Sequence, residues 1–288
     1  MSRTLPLPRR RRRRQPTGPT DPAALAAPVR VLVTGAASGL GLAFVQWYAA
    51  SGARVLASDV ADAVAPGVLP EGVTYRRLDV TSDADWAAAR DWVAQEWGGL
   101  DVVVNNAGVA AGGRIDRLTM PEWEWILDIN LLGVVRGCAT FAPMMVAAGS
   151  GRIVNVASVA GLAHAPSMAS YNVSKAGVVA LSETLLHELG PHGVNVHVVC
   201  PFFVRTNLAQ SLRGSDTEAE SAAYELIDGA RRTPEVVVRR AMRAIEAGKF
   251  VVLTDAMGRV ARWGKRWAPP VYHRVMAGVS RGRSEGRT

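Results

Sequence analysis

The sequence predicts an α/β fold, in which a doubly wound, mostly parallel sheet of seven strands carries helices on both faces. Short apolar runs alternate with helical patterns along the chain, and parallel neighbours need such crossovers. Strands such as VRVLV at 29–33 and DVVVN at 101–105 are apolar without alternation, as expected when both faces are covered. A chain of 288 residues with 49% hydrophobic composition is sufficient for one large core.

The predicted elements of the first half follow in the order this fold needs. The first strand, VRVLVTG, leads into a helix from about Gly39 to Ala50. ARVLASD and VTYRRLD are the second and third strands. Between them, ADAVAPGVLPEG contains two prolines, which leave room for only about one turn of helix.

The second half continues the alternation. A helix over about 83–97 precedes the strand LDVVVNNAG, and long helices over about 121–147 and 169–189 flank the strand GRIVNVAS. VNVHVVCP is the sixth strand, and the helix PEVVVRRAMRAIEAG precedes the seventh, KFVVLTD. Because no repeat or linker interrupts this pattern, one domain over 28–257 is predicted.

The basic charge lies at the two ends of the chain. The net charge is +8, but residues 30–257 hold 18 basic and 23 acidic side chains. Residues 1–29 carry seven arginines, six of them consecutive at 9–14, and residues 258–288 carry eight basic side chains. Residues 1–27 are predicted to be a disordered Arg/Pro-rich arm, and 258–288 a basic tail that contains tryptophan.

Composition also excludes several classes of function. Cys138 and Cys200 are too few for a disulfide framework, and the scattered histidines predict no metal site. No apolar core of a signal peptide follows the arginines, and no run appears apolar enough to span a membrane. We therefore expect a cytoplasmic protein. Its acidic middle lacks a motif that reads nucleic acid, so no specific nucleic-acid partner is expected.

A glycine-rich turn, TGAASGLG at 34–41, joins the first strand to the first helix. Glycines allow the backbone to approach a pyrophosphate, and the free amides and the helix dipole stabilise its charge. The pattern predicts a Rossmann-type dinucleotide site, with an ordinary tight turn as the alternative. The expected contacts are Gly35, Ser38, Gly39, Leu40 and Gly41.

Asp59 ends the second strand, 18 residues after Gly41. A carboxylate at this position can accept hydrogen bonds from the adenosine ribose and would repel a 2′-phosphate. No arginine or lysine stands beside it or at Ser38. The position favours NAD over NADP, although a solvated acid at a strand end is the structural alternative.

Tyr171 and Lys175 are four residues apart near the start of a long predicted helix, so they share a face. A neighbouring ammonium favours the phenolate, so we expect Lys175 to lower the pKa of Tyr171 for general acid/base work. A surface tyrosine beside a solvated lysine is the alternative. The chain has 30 arginines but only three lysines, which indicates that a compact ammonium matters here.

Six motifs follow one another in a characteristic order: TGAASGLG at 34–41, Asp79-Val80, NNAG at 105–108, Asn130, Ser158 and YNVSK at 171–175. Over about residues 28–255 the chain resembles the short-chain dehydrogenases/reductases, of the branch with a single core. The resemblance implies an NAD(P)-dependent oxidoreductase that commonly forms homo-dimers or homo-tetramers through its two long helices.

The resemblance also implies roles for individual residues. Tyr171 would exchange the proton with the substrate oxygen, Lys175 would hold the nicotinamide ribose, and Ser158 would hydrogen-bond the substrate oxygen. Asn130 would position a water that links Lys175 to solvent. The implied cofactor contacts beyond the glycine turn and Asp59 are Asp79, Val80, Asn106, Ala107, Gly108, Tyr171, Lys175, Pro201, Val204 and Thr206.

One position departs from the family pattern, because Phe202 replaces the usual glycine after Pro201. A side chain there restricts the backbone and would press on the nicotinamide pocket or the substrate. With Ser158, His164, Met168 and Phe203 it belongs to a mostly apolar expected substrate site, which suggests a hydrophobic secondary alcohol or ketone. Residues 208–232 are expected to form a lid.

The apolar residues of the tail, 258–288, allow two interpretations. Val260, Trp263 and Trp267 recur at helical spacing among basic residues, and a second short helix is expected beyond Pro269. These apolar positions could pack on the enzyme or a neighbouring subunit, or could contact an anionic membrane surface. A scaffold protein that only binds dinucleotides is a competing function, but it would be expected to lack the tyrosine or the lysine.

Overall fold

The structure is a computed structural model that describes residues 27–285, with side chains as far as residue 280. The arginine run and all but the last residue of the predicted arm lie outside the described residues. One sheet forms the centre, in the strand order β3-β2-β1-β4-β5-β6-β7, and all six adjacent pairs are parallel. The strands are β1 Arg30–Thr34, β2 Arg54–Asp59, β3 Thr74–Arg77, β4 Val102–Asn105, β5 Gly151–Val156, β6 Val194–Cys200 and β7 Val251–Leu253.

Nine α-helices accompany these strands in the described chain. They are α1 Gly39–Ala50, α2 Asp83–Trp97, α3 Met120–Leu127, α4 Gly133–Ala148, α5 Ala169–Leu189, α6 Thr217–Asp228, α7 Pro234–Glu246, α8 Ala256–Trp267 and α9 Pro269–Glu285. The doubly wound α/β class predicted from the sequence is confirmed. In the stretch 60–73, where two prolines were expected to leave room for only about one turn, the structure describes every residue and contains no helix.

Two hydrophobic clusters cover the two faces of the sheet. Val31 and Val33 of β1 pack with α1 and α7, whereas Leu32 between them packs with α2, α4 and α5. All three side chains are fully buried. Successive side chains of a strand point to opposite faces, so a strand covered on both sides must be apolar throughout.

The helix predicted over 121–147 is present as one helical run, Met120–Ala148, but its hydrogen-bond pattern changes within the run. It is divided into α3 and α4 by a π-helical turn, Asp128–Leu132, with Asn130 at its centre. The Asn130 side chain accepts a hydrogen bond from the Val109 amide at 2.8 Å and donates one to the Val109 carbonyl at 2.9 Å. These long-range bonds fix the turn, and hydropathy periodicity alone does not record them.

The same run, Met120–Ala148, overturns one expectation. An 18-residue window within it has a mean hydropathy of 1.6, so the helix is long and apolar enough to cross a membrane by length and composition, contrary to the prediction that no such run exists. In the structure its buried side chains, including Val134, Phe141 and Met145, belong to the cluster that packs on the sheet.

The chain order reverses between β1 and β4. From β1 the sheet continues to β2 and β3 on one side, and from β4 it continues to β7 on the other. The connections that leave β1 and β4 therefore diverge and open a crevice at the carboxyl ends of these strands, which is where open α/β sheets bind ligands.

Candidate active site

A cavity of about 970 Å³ lies at the carboxyl ends of the strands. It brings together all but three of the residues predicted for the site, and the exceptions are Gly41, Asn130 and His164. The predicted residues that line it are Gly35, Ser38, Gly39, Leu40, Asp59, Asp79, Val80, Asn106, Ala107, Gly108, Ser158, Met168, Tyr171, Lys175, Pro201, Phe202, Phe203, Val204 and Thr206.

The glycine turn requires its glycines for two different reasons. Gly35 adopts φ +63°, a left-handed conformation, and a Cβ there would lie 2.8 Å from the Ala107 Cα. Gly41 lies behind the cavity wall, and a Cβ there would clash with the Gly35 carbonyl oxygen. Close packing of the first turn of α1 on the loop therefore depends on glycine at both positions.

Thr34, which sequence reasoning did not assign to the site, connects β1 to β4. Its buried hydroxyl accepts hydrogen bonds from the Asn106 amide at 3.0 Å and the Ala107 amide at 3.1 Å. In return, the Asn106 side chain donates to the Thr34 carbonyl at 2.9 Å and the Gly35 carbonyl at 3.2 Å. The threonine before the first glycine and the asparagine after β4 can both be recognised in the sequence, but the sequence does not show that their side chains are in contact.

Ser38 is the residue at the N-cap of α1. Its backbone is extended, with φ −157° and ψ 175°, and its hydroxyl caps no amide among the described residues. The N-terminus of α1 therefore presents amides and a side-chain hydroxyl at the cavity, a suitable environment for a phosphate.

Asp59 lies beside the same turn. One carboxylate oxygen accepts a hydrogen bond from the Ala37 amide at 3.0 Å, and the other accepts from the amide of Val60 at 2.8 Å. Asp79 accepts from the Thr81 amide at 2.9 Å and the Thr81 hydroxyl at 2.7 Å. Both carboxylates are thereby held at the cavity wall, where an adenosine could meet them.

Tyr171 and Lys175 are both buried on α5, and Lys175 is only 4% exposed. The Lys175 ammonium donates to the Val156 carbonyl at 3.1 Å and lies 5.9 Å from the centre of the Tyr171 ring. Burial lowers the pKa of Lys175 to about 8. These two residues share the cavity with Ser158, whose hydroxyl accepts from the Ala160 amide at 3.1 Å.

The prediction that the pKa of Tyr171 is lowered is wrong for the protein chain alone. Burial raises the pKa of the Tyr171 phenol, and interaction with the Ser158 hydroxyl opposes this rise. The desolvation of the phenolate dominates because the Lys175 ammonium is directed at a backbone carbonyl. At neutral pH the phenol is therefore protonated and suited to donate a proton.

Asn130 is fully buried behind the cavity wall. A Cβ placed on Gly108 would lie 3.0 Å from the Asn130 Oδ1 and 3.4 Å from the Lys175 Nζ. The asparagine and the lysine thus converge on Gly108 from two different helical segments. π-Helical turns such as the one that carries Asn130 occur frequently at functional sites.

Phe202, at the departure from the family pattern, lines the cavity and is 37% exposed. Its ring packs edge-on against Phe203, with centroids 4.8 Å apart. Among the described non-glycine residues only Ser167 has a positive φ, so the Phe202 backbone does not need glycine's conformational freedom. The replacement adds apolar surface to the cavity without backbone strain.

His164 does not line the cavity, which argues against the predicted contact with substrate. Its Nδ1 lies 3.0 Å from the Lys265 ammonium, and its backbone amide donates to the Tyr272 hydroxyl at 3.0 Å. Burial and the neighbouring Lys265 charge lower the pKa of His164, so the neutral ring can accept a hydrogen bond from Lys265. The tail helices α8 and α9 therefore contact the loop that was expected to bind substrate.

Helices α8 and α9 also contribute to the cavity wall, through four residues that sequence reasoning did not assign to the site: Met257, Ala261, Met276 and Val279. The expected lid contributes Leu208, Ser211, Ala223, Leu226 and Ile227. Asp216, whose buried carboxylate accepts from the Arg114 guanidinium at 2.8 Å, anchors the start of α6.

The described residues contain no group of three or more His, Cys, Asp or Glu side chains that could hold a metal ion. They do contain a phenol, an ammonium and a hydroxyl at one wall of the cavity, and a glycine turn with a helix N-terminus and Asp59 at another. The donor set fits a dinucleotide with its phosphates at the turn, and a substrate oxygen near Tyr171 and Ser158.

Comparison with known proteins agrees with this geometry. The family model for short chain dehydrogenases matches residues 29–217. The 3-alpha-(or 20-beta)-hydroxysteroid dehydrogenase of Mycobacterium tuberculosis is 39% identical over 178 residues, which cover 61% of this chain and 68% of that protein.

Two solved structures are also similar. One is a short chain dehydrogenase/reductase from Burkholderia phymatum in complex with NAD, with a TM-score of 0.76 and 31% identity, covering 83% of this chain and 93% of the other. The second is a short-chain dehydrogenase from Sphingobium yanoikuyae in complex with NADPH, with a TM-score of 0.68 and 26% identity, covering 89% and 95%.

The matched family model covers residues 29–217, well over half of the chain. The chain therefore belongs to the short-chain dehydrogenase/reductase family and is an NAD(P)-dependent oxidoreductase that acts on CH–OH groups.

Proposed function

We propose that this protein interconverts a hydrophobic secondary alcohol and its ketone, with NAD as the favoured cofactor. The observation that carries the proposal is the joint placement of Tyr171, Lys175 and Ser158 at one largely apolar cavity that also reaches the glycine turn and Asp59. A complete set of proton-transfer residues argues against the competing function of a dinucleotide-binding scaffold.

The proposed mechanism divides the work between cofactor and protein. A bound nicotinamide supplies the hydride acceptor or donor. Tyr171 donates its phenolic proton to the substrate oxygen in reduction and takes a proton from the hydroxyl in oxidation. Ser158 donates a hydrogen bond to the same oxygen and stabilises its developing charge. The raised pKa of Tyr171 keeps the phenol ready for reduction at neutral pH.

Lys175 has two proposed tasks. Its ammonium would hold the ribose hydroxyls of the nicotinamide half, and its positive charge would favour the phenolate when the reaction runs toward oxidation. Asn130 would position a water beside Gly108, where the lysine and the asparagine converge, so that protons could pass between Lys175 and solvent.

The preference for NAD is argued from the charges of the cavity wall. Among the described residues that line it, Lys175 is the one cation, and the acids are Asp59, Asp79 and Asp128. On the neighbouring strand, Arg77 is paired with Asp85 at 2.9 Å, and Arg76 lies over the Trp92 ring. A 2′-phosphate near Asp59 would meet a carboxylate rather than a guanidinium. An NADP-dependent ketoreductase is the runner-up.

The substrate class is argued from the remaining walls. Trp125, Met168, Phe202, Phe203, Leu226 and Met276 give the substrate end of the cavity an apolar surface. Such a surface suits a bulky, apolar secondary alcohol or ketone, because binding removes the apolar surface of the substrate from contact with water. The hydroxysteroid named for the relative in Mycobacterium tuberculosis is of this class.

We further propose a cytoplasmic homo-dimer or homo-tetramer. Leu132, at the end of the π-helical turn that precedes α4, and Val173 on α5 expose apolar surface that a subunit interface would cover. The two cysteines are free and buried, as a reducing compartment would favour.

The substitution Tyr171→Phe removes the proton donor and leaves the ring packing intact. We expect kcat to fall by about 10³-fold or more, because general acid/base catalysis contributes on the order of 10²–10⁴-fold. Binding of NADH, followed by its fluorescence, should stay close to wild type. Tyr224→Phe, at an exposed tyrosine on α6, is the matched control. A Tyr171→Phe enzyme with undiminished kcat would remove the assignment.

The substitution Lys175→Met tests the buried ammonium through stability. Lysine titrates near 10.5 when unfolded and near 8 here, so only the unfolded chain holds the extra proton between these values. Stability therefore rises with pH across this window, and the buried charge costs up to about 3 kcal/mol below pH 8. The variant lacks this pH dependence.

The measurement is urea unfolding of both proteins from pH 7 to pH 10.5. The stability of Lys175→Met relative to wild type should be greatest at pH 7 and should decline by about 3 kcal/mol toward pH 10.5. Lys249→Met, at an exposed lysine, controls for the loss of any lysine. A relative stability that does not change with pH contradicts a buried ammonium.

The substitution Asp59→Asn tests the cofactor preference. It removes the charge that would repel a 2′-phosphate and keeps an oxygen for the Ala37 amide. We expect the ratio of kcat/KM for NADP to that for NAD to increase about tenfold or more, equivalent to about 1.4 kcal/mol. Asp62→Asn changes an exposed acid three residues away and should leave the ratio unchanged. An unchanged ratio in Asp59→Asn would refute the role of Asp59.

A further inference from the structure

Helices α8 and α9 form a hairpin with one face fixed to the enzyme. The Lys265 ammonium donates to the Leu162 carbonyl at 3.0 Å and contacts His164, while the Tyr272 hydroxyl accepts from the His164 amide at 3.0 Å. Met257 and Met276 of the same hairpin line the cavity. The inner face of the hairpin, which carries Lys265, Tyr272 and Met276, therefore packs on its own enzyme. Val260, Trp263 and Trp267, for which such packing was one of the two predicted alternatives, stay exposed.

The opposite face carries an apolar strip that the described chain leaves exposed. We call it the outer strip, and it consists of Val260, Trp263, Trp267, Val271 and Val275. Trp263 and Trp267 are 67% and 64% exposed, with ring centroids 6.2 Å apart. All eight tryptophans lie in the described chain, and these two are the exposed ones. The surface of a soluble protein rarely exposes two adjacent tryptophans unless a binding partner covers them.

Basic side chains border the outer strip. Arg259, Arg262 and Arg266 recur at the same helical spacing as the apolar residues of α8, and Arg274 is exposed on α9. In the sequence from 256 to 288, Glu285 is the single acid. Two copies that paired symmetrically through this hairpin would bring like charges together, which disfavours a second copy as the occupant.

An anionic lipid surface satisfies both features at once. Tryptophan rings favour the boundary between headgroups and acyl chains, and arginines beside them meet the lipid phosphates. We propose that the outer strip docks this protein on an anionic membrane surface, with the α8–α9 hairpin lying in the plane of the interface. The inner face would keep its contacts with the active site.

The same hairpin would then connect the membrane with the cavity. Val279 is 39% exposed and also lines the cavity, so a docked bilayer would lie close to one cavity wall. For an apolar alcohol this shortens the route from lipid to enzyme, a consequence that rests on the proposed substrate class. Docking itself does not depend on that class.

The first test is cosedimentation of the full chain with vesicles of phosphatidylcholine alone or with 30 mol% phosphatidylglycerol, at about 0.1 M salt. We expect binding to the anionic vesicles and a decrease of about tenfold in the double variant Trp263→Ala/Trp267→Ala. A similar decrease is expected in Arg262→Gln/Arg266→Gln. Ile115→Ala/Met120→Ala removes two exposed apolar side chains elsewhere and should bind as wild type.

The arginines at 9–14 could themselves hold the protein on anionic lipid, so a second readout separates the two ends. Brominated acyl chains quench tryptophan fluorescence on contact, and residues 1–46 contain no tryptophan. With all six arginines changed to glutamine, quenching by anionic brominated vesicles should persist. It should be lost in Trp263→Ala/Trp267→Ala, while thermal unfolding and turnover of a soluble substrate stay at the wild-type level.

Three results would overturn the proposal. The first is equal binding to neutral and anionic vesicles, and the second is quenching that survives the loss of both tryptophans. The third is that Trp263→Ala/Trp267→Ala changes the molecular mass of the protein in solution, measured by sedimentation, but not its binding to vesicles. The last result would identify a second copy of the chain as the occupant of the outer strip. None of them bears on the assignment of Tyr171 and Lys175.

Discussion

The hydrogen bonds between Thr34 and Asn106 tie together the two strand ends on which the candidate site is built. β1 and β4 are neighbours in the sheet, but their outgoing connections run in opposite directions, so their ends would otherwise diverge. The buried Thr34 hydroxyl accepts hydrogen bonds from the Asn106 and Ala107 amides, and the Asn106 carboxamide donates to the Thr34 and Gly35 carbonyls. These four hydrogen bonds hold the two strand ends together. The glycine turn can then pack against Ala107, and Asn106, Ala107 and Gly108 form the floor between the two ends of the cavity.

A second constraint is the burial of Lys175, whose charge lies in a poorly solvated position. The ammonium has a backbone carbonyl as its hydrogen-bond acceptor, and its pKa falls because burial penalises the charged form. Buried lysines are costly, and such cost is often found where function requires it. The π-helical turn at Asn130 is related, because its bonds to Val109 bring the asparagine to the same glycine as the lysine. Burial of the Lys175 charge lowers stability but places the ammonium at the candidate site, and long-range contacts such as those of Asn130 with Val109 hold this arrangement.

Much of the fold and the cofactor end could be predicted from the sequence because the signals are local. An apolar strand, a glycine pattern and a tyrosine four residues before a lysine are each encoded within a few positions. The π-helical turn between α3 and α4 could not be predicted, because it depends on Asn130 reaching Val109, 21 residues away. The Tyr171 shift was predicted in the wrong direction, since spacing reveals the neighbouring charge but not the depth of burial. Likewise, the contact of Lys265 with His164 joins positions 101 residues apart, so neither the tail wall nor the displacement of His164 from the substrate site had a local signal.

The placement of α8 and α9 has a consequence for how such an enzyme can diversify. The hairpin follows β7, supplies no strand to the sheet and lies beyond residue 217, where the family match ends. Nevertheless, it supplies Met257, Ala261, Met276 and Val279 to the cavity. Substitutions in this terminal segment can therefore change which alcohols fit the cavity without altering the glycine turn or the residues proposed to transfer protons. Different segments of one chain would then determine the substrate range and the catalytic chemistry.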